Sequence, residues 1–225
     1  MSEAPVGDRR PIAVRGWAVF RAMATWLARR GVSPNGISLG GMMSGIAAGG
    51  ALAATAHLTG LEQRLAWLAA ALFIQLRLLA NMLDGMVAIE CGRASPVGEL
   101  YNEVPDRVSD AATLIGAGYA AGGDVALGFA AACVALFTAY VRAMGKAAGA
   151  RNEFCGPMAK QQRMFVVTVI GIFCGLAPAD WQPTPEWAAG RGLVTVGLIL
   201  IMVGGSFTAV RRLLRIATTL RNRST

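Results

Sequence analysis

Six apolar stretches, at about 36–57, 65–84, 106–122, 125–144, 163–178 and 191–209, take up most of this chain of 225 residues. A helix needs roughly 20 apolar residues to cross a bilayer, and six such helices account for the length. Hydrophobic residues make up 55% and charged ones only 15%, a balance unlike that of an ordinary soluble domain. The expected fold is all-α: a polytopic membrane protein with six transmembrane helices, preceded by an amphipathic helix lying in the membrane interface. The third and fifth stretches are the shortest, and the third begins at an acidic residue, Asp106.

The basic residues orient the bundle. Of the 21 lysines and arginines, 18 fall before the first stretch, around the second–third and fourth–fifth connections, or after the last stretch. Arg64 and Arg191 lie on the opposite side, and Arg77 sits within a stretch. Basic connections stay in the cytoplasm, which places both termini and the 81–106 region on the cytoplasmic face of a cell (inner) membrane. The net charge of +8 is then a topology signal first and an attraction to membrane lipids second. No basic–aromatic platform or helix-turn-helix pattern accompanies it, so nucleic acid is not an expected partner. His57 is the only histidine and falls on the far side, which argues against histidine acid–base chemistry and a His-rich metal site.

With no long linker, residues 1–225 read as one domain. Residues 11–30 interleave Trp, Phe, Met and Leu with arginines at helical spacing, as an interfacial helix does. Residues 36–209 form the bundle, and 210–225 a basic cytoplasmic tail. Ser33-Pro34-Asn35-Gly36 is a turn signal between the first two parts. Gly41, Gly45 and Gly49 then repeat every four residues, a spacing that lets helix backbones approach closely.

Polar residues gather at helical spacing where two apolar segments meet the basic side. Asn81, Asp84, Gly85 and Ala88 share one face of a helix; Gly98, Asn102, Asp106 and Asp110 share a face of the next. Two facing stripes of oxygen donors, with small residues beside them, suit a hard cation and phosphates. Ionisable residues at a membrane edge are functional candidates by default. That applies to Asp84 and Asp106, whereas Glu90, Glu99 and Glu103 read as helix-end residues reaching water.

These residues resemble the signature of the CDP-alcohol phosphotransferase (CDP-alcohol phosphatidyltransferase) family, D-x-x-D-G-x-x-A-R, about eight residues, then G-x-x-x-D-x-x-x-D. Here the pattern runs Asn81, Asp84, Gly85, Ala88, Ile89, then Gly98, Asn102 and Asp106, with asparagine at the first and third aspartates and Ile89 for the arginine. Ser33-Pro34-Asn35-Gly36-Ile37-Ser38 is similar to the family's P-N-x-(I/L)-(S/T) lead-in to the first span. Tyr140-Val141-Arg142, Gly156-Pro157-Met158 and Arg163 resemble its basic loop between spans four and five. A register beginning at Asn102 and taking in Asp110 restores an aspartate but loses Gly98 and lengthens the gap.

The resemblance implies an enzyme that moves a phosphatidyl or related phospho-lipid group from a CDP-linked donor such as CDP-diacylglycerol to an alcohol, releasing CMP, in phospholipid biosynthesis. It implies Mg²⁺ or Mn²⁺, one or two ions, at Asn81, Asp84, Asn102 and Asp106, with Asp106 as the general base. Asp84, Gly85, Ala88 and Gly98 would adjoin the nucleotide donor. Arg142, Lys160 and Arg163 would grip acceptor or lipid phosphate, and a homodimer is the implied assembly. Asparagine keeps an oxygen but surrenders a charge, so Arg77 and Asp110 become candidates for rebalancing the pocket. The same departures support a second expectation, a catalytically silent relative binding a nucleotide-lipid or a partner membrane protein. A small transporter is the third; no internal repeat of the kind such proteins show is visible.

Overall fold

The computed structural model describes residues 17–90, 97–150, 152–182 and 190–222. Among them are seven α-helices: α1 (Ala18–Arg29), α2 (Pro34–Ala54), α3 (Gly60–Glu90), α4 (Gly98–Tyr119), α5 (Val125–Ala147), α6 (Lys160–Leu176) and α7 (Leu193–Arg221). Each of the six apolar stretches has its own helix, α2 to α7. Four of these, α2, α3, α5 and α7, are long and apolar enough to cross a membrane. α6 has only 17 residues, and α4 carries Glu103, Asp106, Arg107 and Asp110 along its length.

Helix ends follow local chemistry. Ser33 caps α2, its hydroxyl accepting the Gly36 N–H at 3.1 Å, with Pro34 in the first turn where a missing N–H costs nothing. Asp124 caps α5 by accepting the Leu127 N–H at 3.0 Å. At 31 residues α3 is about 45 Å long, against a hydrocarbon core of about 30 Å, so its polar last turns have room beyond the apolar part.

Boundaries differ from expectation in several places, among them α3, which spans Gly60–Glu90 against a stretch of 65–84. α4 begins at Gly98, as the Gly98–Asp110 stripe expects, two turns ahead of the apolar stretch at 106, and carries Pro105 inside it; one absent N–H is tolerated where flanking turns are already fixed. α7 runs on to Arg221, so most of the expected 210–225 tail is helix, and 223–225 lie outside the described residues. Of the expected 11–30 helix, Ala18–Arg29 is helical and 11–16 lie outside the described residues.

α2 packs between α3 and α4, α4 against α5, α5 against α7, and α3 against α6. Glycine sets the α2–α4 contact. A methyl group at Gly45 would stand 2.2 Å from Ser109 Cβ, and one at Gly49 would stand 2.3 Å from the Ala112 carbonyl oxygen. From the other side, a methyl at Gly116 would meet the Gly49 oxygen at 2.2 Å. The glycine repeat is thus a packing device. α1 lies on α3, burying Ala24 against Leu83 and Val87 while Trp17 and Trp26 stay exposed.

Candidate active site

Where α2, α3 and α4 converge, a cleft of about 200 Å³ is lined by Ser38 and Gly41 of α2, Arg77, Asn81 and Asp84 of α3, and Asn102, Asp106 and Ser109 of α4. All four motif positions read as oxygen donors, 81, 84, 102 and 106, therefore face one space. Gly85, Ala88 and Gly98 are not among its lining residues. Ile89 is exposed.

Asp84 is buried and held by neutral donors. Ser38 Oγ donates to its Oδ2 at 2.6 Å, and the Gly85 N–H donates to Oδ1 at 2.5 Å. Neither donor cancels the carboxylate's charge. Ser38 stood in the quoted lead-in without a role. Its position one turn after Pro34, on the α2 face that meets α3, is what gives it one.

Asp106 and Asp110 are held differently. Arg77, 1% exposed, donates from Nε to Ser109 Oγ at 2.5 Å, and from Nη2 to Asp110 Oδ1 at 2.5 Å and Asp106 Oδ1 at 3.4 Å. Arg163 of α6, also buried, donates to the other oxygen of Asp110 at 2.9 Å and to the Met158 carbonyl at 3.1 Å. Asp110 thus has a guanidinium on each oxygen. Among the described residues, Arg77 Nη1 and Arg163 Nε have no hydrogen-bond partner, so this network is short of acceptors.

The asparagines join the same web. Asn81 Nδ2 donates to Asn102 Oδ1 at 3.2 Å and to Asp106 Oδ1 at 3.1 Å. Lys160, at the start of α6, donates to Asn81 Oδ1 at 2.6 Å and to Asp106 Oδ2. Its ammonium bridges the first and fourth motif positions.

Other expected residues land elsewhere. Arg163, read as a phosphate grip, is instead a buried partner of Asp110. Arg142 keeps 20% side-chain exposure, pairs with Glu103 and lies over the Phe154 ring at 5.6 Å. Glu103, read as a water-facing helix end, also pairs with Arg107 at 3.0 Å. Arg77, a candidate for rebalancing the pocket, faces α4 and lines the cleft. Arg212 of α7 is buried and donates to the Cys155 and Thr138 carbonyls, tying the segment before α6 to α5. A helix-tail arginine looks like a topology signal in the sequence, and nothing local marks this one out.

No family model matches the chain. An archaetidylinositol phosphate synthase of Aeropyrum pernix is 32% identical over 151 residues, 66% of this chain and 71% of that one. The chain belongs to the CDP-alcohol phosphatidyltransferase family. Within the family, the phosphatidylinositol phosphate synthase of Streptomyces avermitilis is 28% identical, over 88% of this chain and 78% of its own length. Inner membrane protein YnbA of Escherichia coli is 24% identical, over 87% and 89%. The phosphatidylinositol phosphate synthase of Mycobacterium tuberculosis shares the fold. With CDP-DAG bound its structure superposes with a TM-score of 0.71 at 22% identity, covering 90% of this chain and 96% of that one. A second structure of that synthase, in complex with manganese and citrate, gives the same TM-score of 0.71, over 89% of this chain and 90% of that one.

Of the four donors at 81, 84, 102 and 106, two are neutral amides. Among the described residues no three of His, Cys, Asp and Glu stand close enough together to hold a metal ion. The cleft lining includes two carboxylates and two amide side chains, all bearing oxygen, beside two serine hydroxyls and the Arg77 guanidinium. Oxygen donors fit a hard divalent cation, with two fewer negative charges than four aspartates would give.

Proposed function

We propose that this chain is a multi-pass membrane transferase of phospholipid biosynthesis that moves a phosphatidyl group from CDP-diacylglycerol to an alcohol and releases CMP. The observation that carries the reading is the convergence of Asn81, Asp84, Asn102 and Asp106 on one cleft in a chain of this family. Six transmembrane helices with both termini and the cleft on the cytoplasmic side of the inner membrane complete the picture, supported by the 18 basic residues on one side. α4 and α6 would cross as short or polar members whose charges face the bundle interior.

In this reading Asp84 and Asp106, assisted by the amide oxygens of Asn81 and Asn102, hold Mg²⁺ or Mn²⁺, which when bound neutralises the donor pyrophosphate and eases departure of CMP. Asp106 takes the proton of the acceptor hydroxyl as it attacks the phosphorus nearer the lipid. Ser38 fixes the Asp84 carboxylate, and the nucleotide passes the small residues Gly85 and Ala88. Of the three expected phosphate grips, Arg142 is better exposed than Lys160 and Arg163. Likeness to the Streptomyces phosphatidylinositol phosphate synthase and the Aeropyrum archaetidylinositol phosphate synthase makes inositol phosphate the first acceptor to try. The assembly is a homodimer.

Purified protein would be incubated with CDP-diacylglycerol, Mg²⁺ or Mn²⁺ and inositol phosphate, glycerol phosphate or serine, and CMP release followed. Metal-dependent release, abolished by Asp84→Asn and by Asp106→Asn, is expected. No release with any acceptor sinks the proposal. A second reading, a silent relative, is favoured by the two asparagines; it requires that Asn81→Asp with Asn102→Asp create activity absent from the unaltered chain.

A further inference from the structure

We infer that Lys160 is a resident cation of this cleft, so that the site takes one divalent ion and the lysine ammonium supplies charge that a four-aspartate motif would draw from a second. The inference rests on the transferase reading above and concerns how its site is charged.

Position comes first. The Lys160 ammonium contacts Asn81 Oδ1 at 2.6 Å and Asp106 Oδ2, so it joins α3 to α4 through the first and last motif positions. A metal held by both stripes would have to make that same link. Lys160 comes from a third helix, α6, and Arg163 one turn later anchors α6 by its pair with Asp110. The ammonium is therefore delivered by a fixed element, with 17% of its side chain exposed.

Charge counting agrees. Around the carboxylates Asp84, Asp106 and Asp110 stand Arg77, Lys160 and Arg163, with Arg107 also 3.9 Å from Asp106 Oδ2, so the cluster carries no net negative charge. Aspartates at 81 and 102 would add two negative charges, the charge of one divalent ion. The buried donors without partners, Arg77 Nη1 and Arg163 Nε, leave the cluster short of acceptors. A second cation would enter a space whose fixed positive charge is already matched, and like charges a few ångströms apart repel strongly in such surroundings.

The test counts Mn²⁺ by electron paramagnetic resonance on the purified full chain in nanodiscs, with and without CDP. One ion per chain is expected, rising to two in Asn81→Asp/Asn102→Asp. Lys160→Met should bind its single ion about tenfold more tightly, or better, because a neighbouring positive charge is gone. Lys160→Arg, which keeps the charge, should stay within about threefold of the unaltered chain. Two ions in the unaltered chain, none at all, or equal affinity in Lys160→Met overturns the inference. Should Lys160→Met fail to fold, the double aspartate variant decides alone, and its failure to gain an ion is fatal. CMP release on the same preparation separates the two ideas. Release with two ions bound removes the resident lysine and keeps the transferase; one ion, tightened by Lys160→Met but without release, does the reverse.

Discussion

Asp84 and Asp110 are both buried carboxylates on the inner faces of this bundle, yet their surroundings give them opposite duties. Asp110 is closed between Arg77 and Arg163, so its charge is cancelled within the protein. Asp84 receives only the Ser38 hydroxyl and the Gly85 amide, which orient the group and leave its charge uncancelled. A carboxylate neutralised from inside holds helices together, whereas one held by neutral donors keeps its charge, as the proposed transferase requires of Asp84. Burial alone does not tell the two apart; the charge of the donors does.

The largest expected effect breaks the Asp110 side. Asp110→Asn leaves two buried guanidinium groups without their shared anion and should cost about 3–5 kcal/mol, read as a large drop in the unfolding midpoint in detergent. Asp84→Asn should do the opposite, shifting that midpoint by less than about 1 kcal/mol while lowering CMP release on the order of a hundredfold or more. If Asp84→Asn unfolds the protein and Asp110→Asn only slows it, the two roles have been assigned the wrong way round. Ser38→Ala probes the neutral cradle itself: losing one donor to a buried carboxylate should cost about 1–3 kcal/mol, and serial melting curves beside Ser38→Thr would show whether the hydroxyl is what matters.

The smallest effect belongs to Asp124, at the far end of the bundle, where the pair with Arg191 is exposed. The Leu127 N–H foremost, and Arg191 after it, hold this carboxyl below its ordinary value of 3.8. A lowered value favours the charged form in the folded state, so its contribution is complete above that ordinary value and fades as the pH falls through the lowered one. Arg191→Ala should lower the neutral-pH melting midpoint only slightly, and that difference should close as the pH falls through the lowered value.

Much of this architecture is legible in the residues. The six apolar stretches found their helices because hydropathy reports length directly, and the glycine repeat of α2 announced a close contact without naming its partner. The Gly98–Asp110 stripe carried α4 two turns ahead of its apolar stretch, because spacing along one helix is local even across Pro105. The arginines beyond 209 hid the end of α7. In the site, the stripes 81–84 and 102–106 follow from spacing along single helices. The links from Ser38 to Asp84, Lys160 to Asn81 and Arg163 to Asp110 join residues 46, 79 and 53 apart in sequence, and only packing decides them. Arg163 illustrates the limit: a basic loop residue and a buried helix partner look alike until α6 is set against α4.

The glycine contact between α2 and α4 has one more consequence, for anyone mapping which positions of this chain accept change. At Gly45, Gly49 and Gly116 even a methyl group has no room. A saturation-mutagenesis map would therefore show as little tolerance along this seam as at the carboxylates. Such a map would outline two things at once, the chemistry and the mould that shapes it, and it would take an alanine at Gly45 beside an asparagine at Asp84 to tell which outline was which.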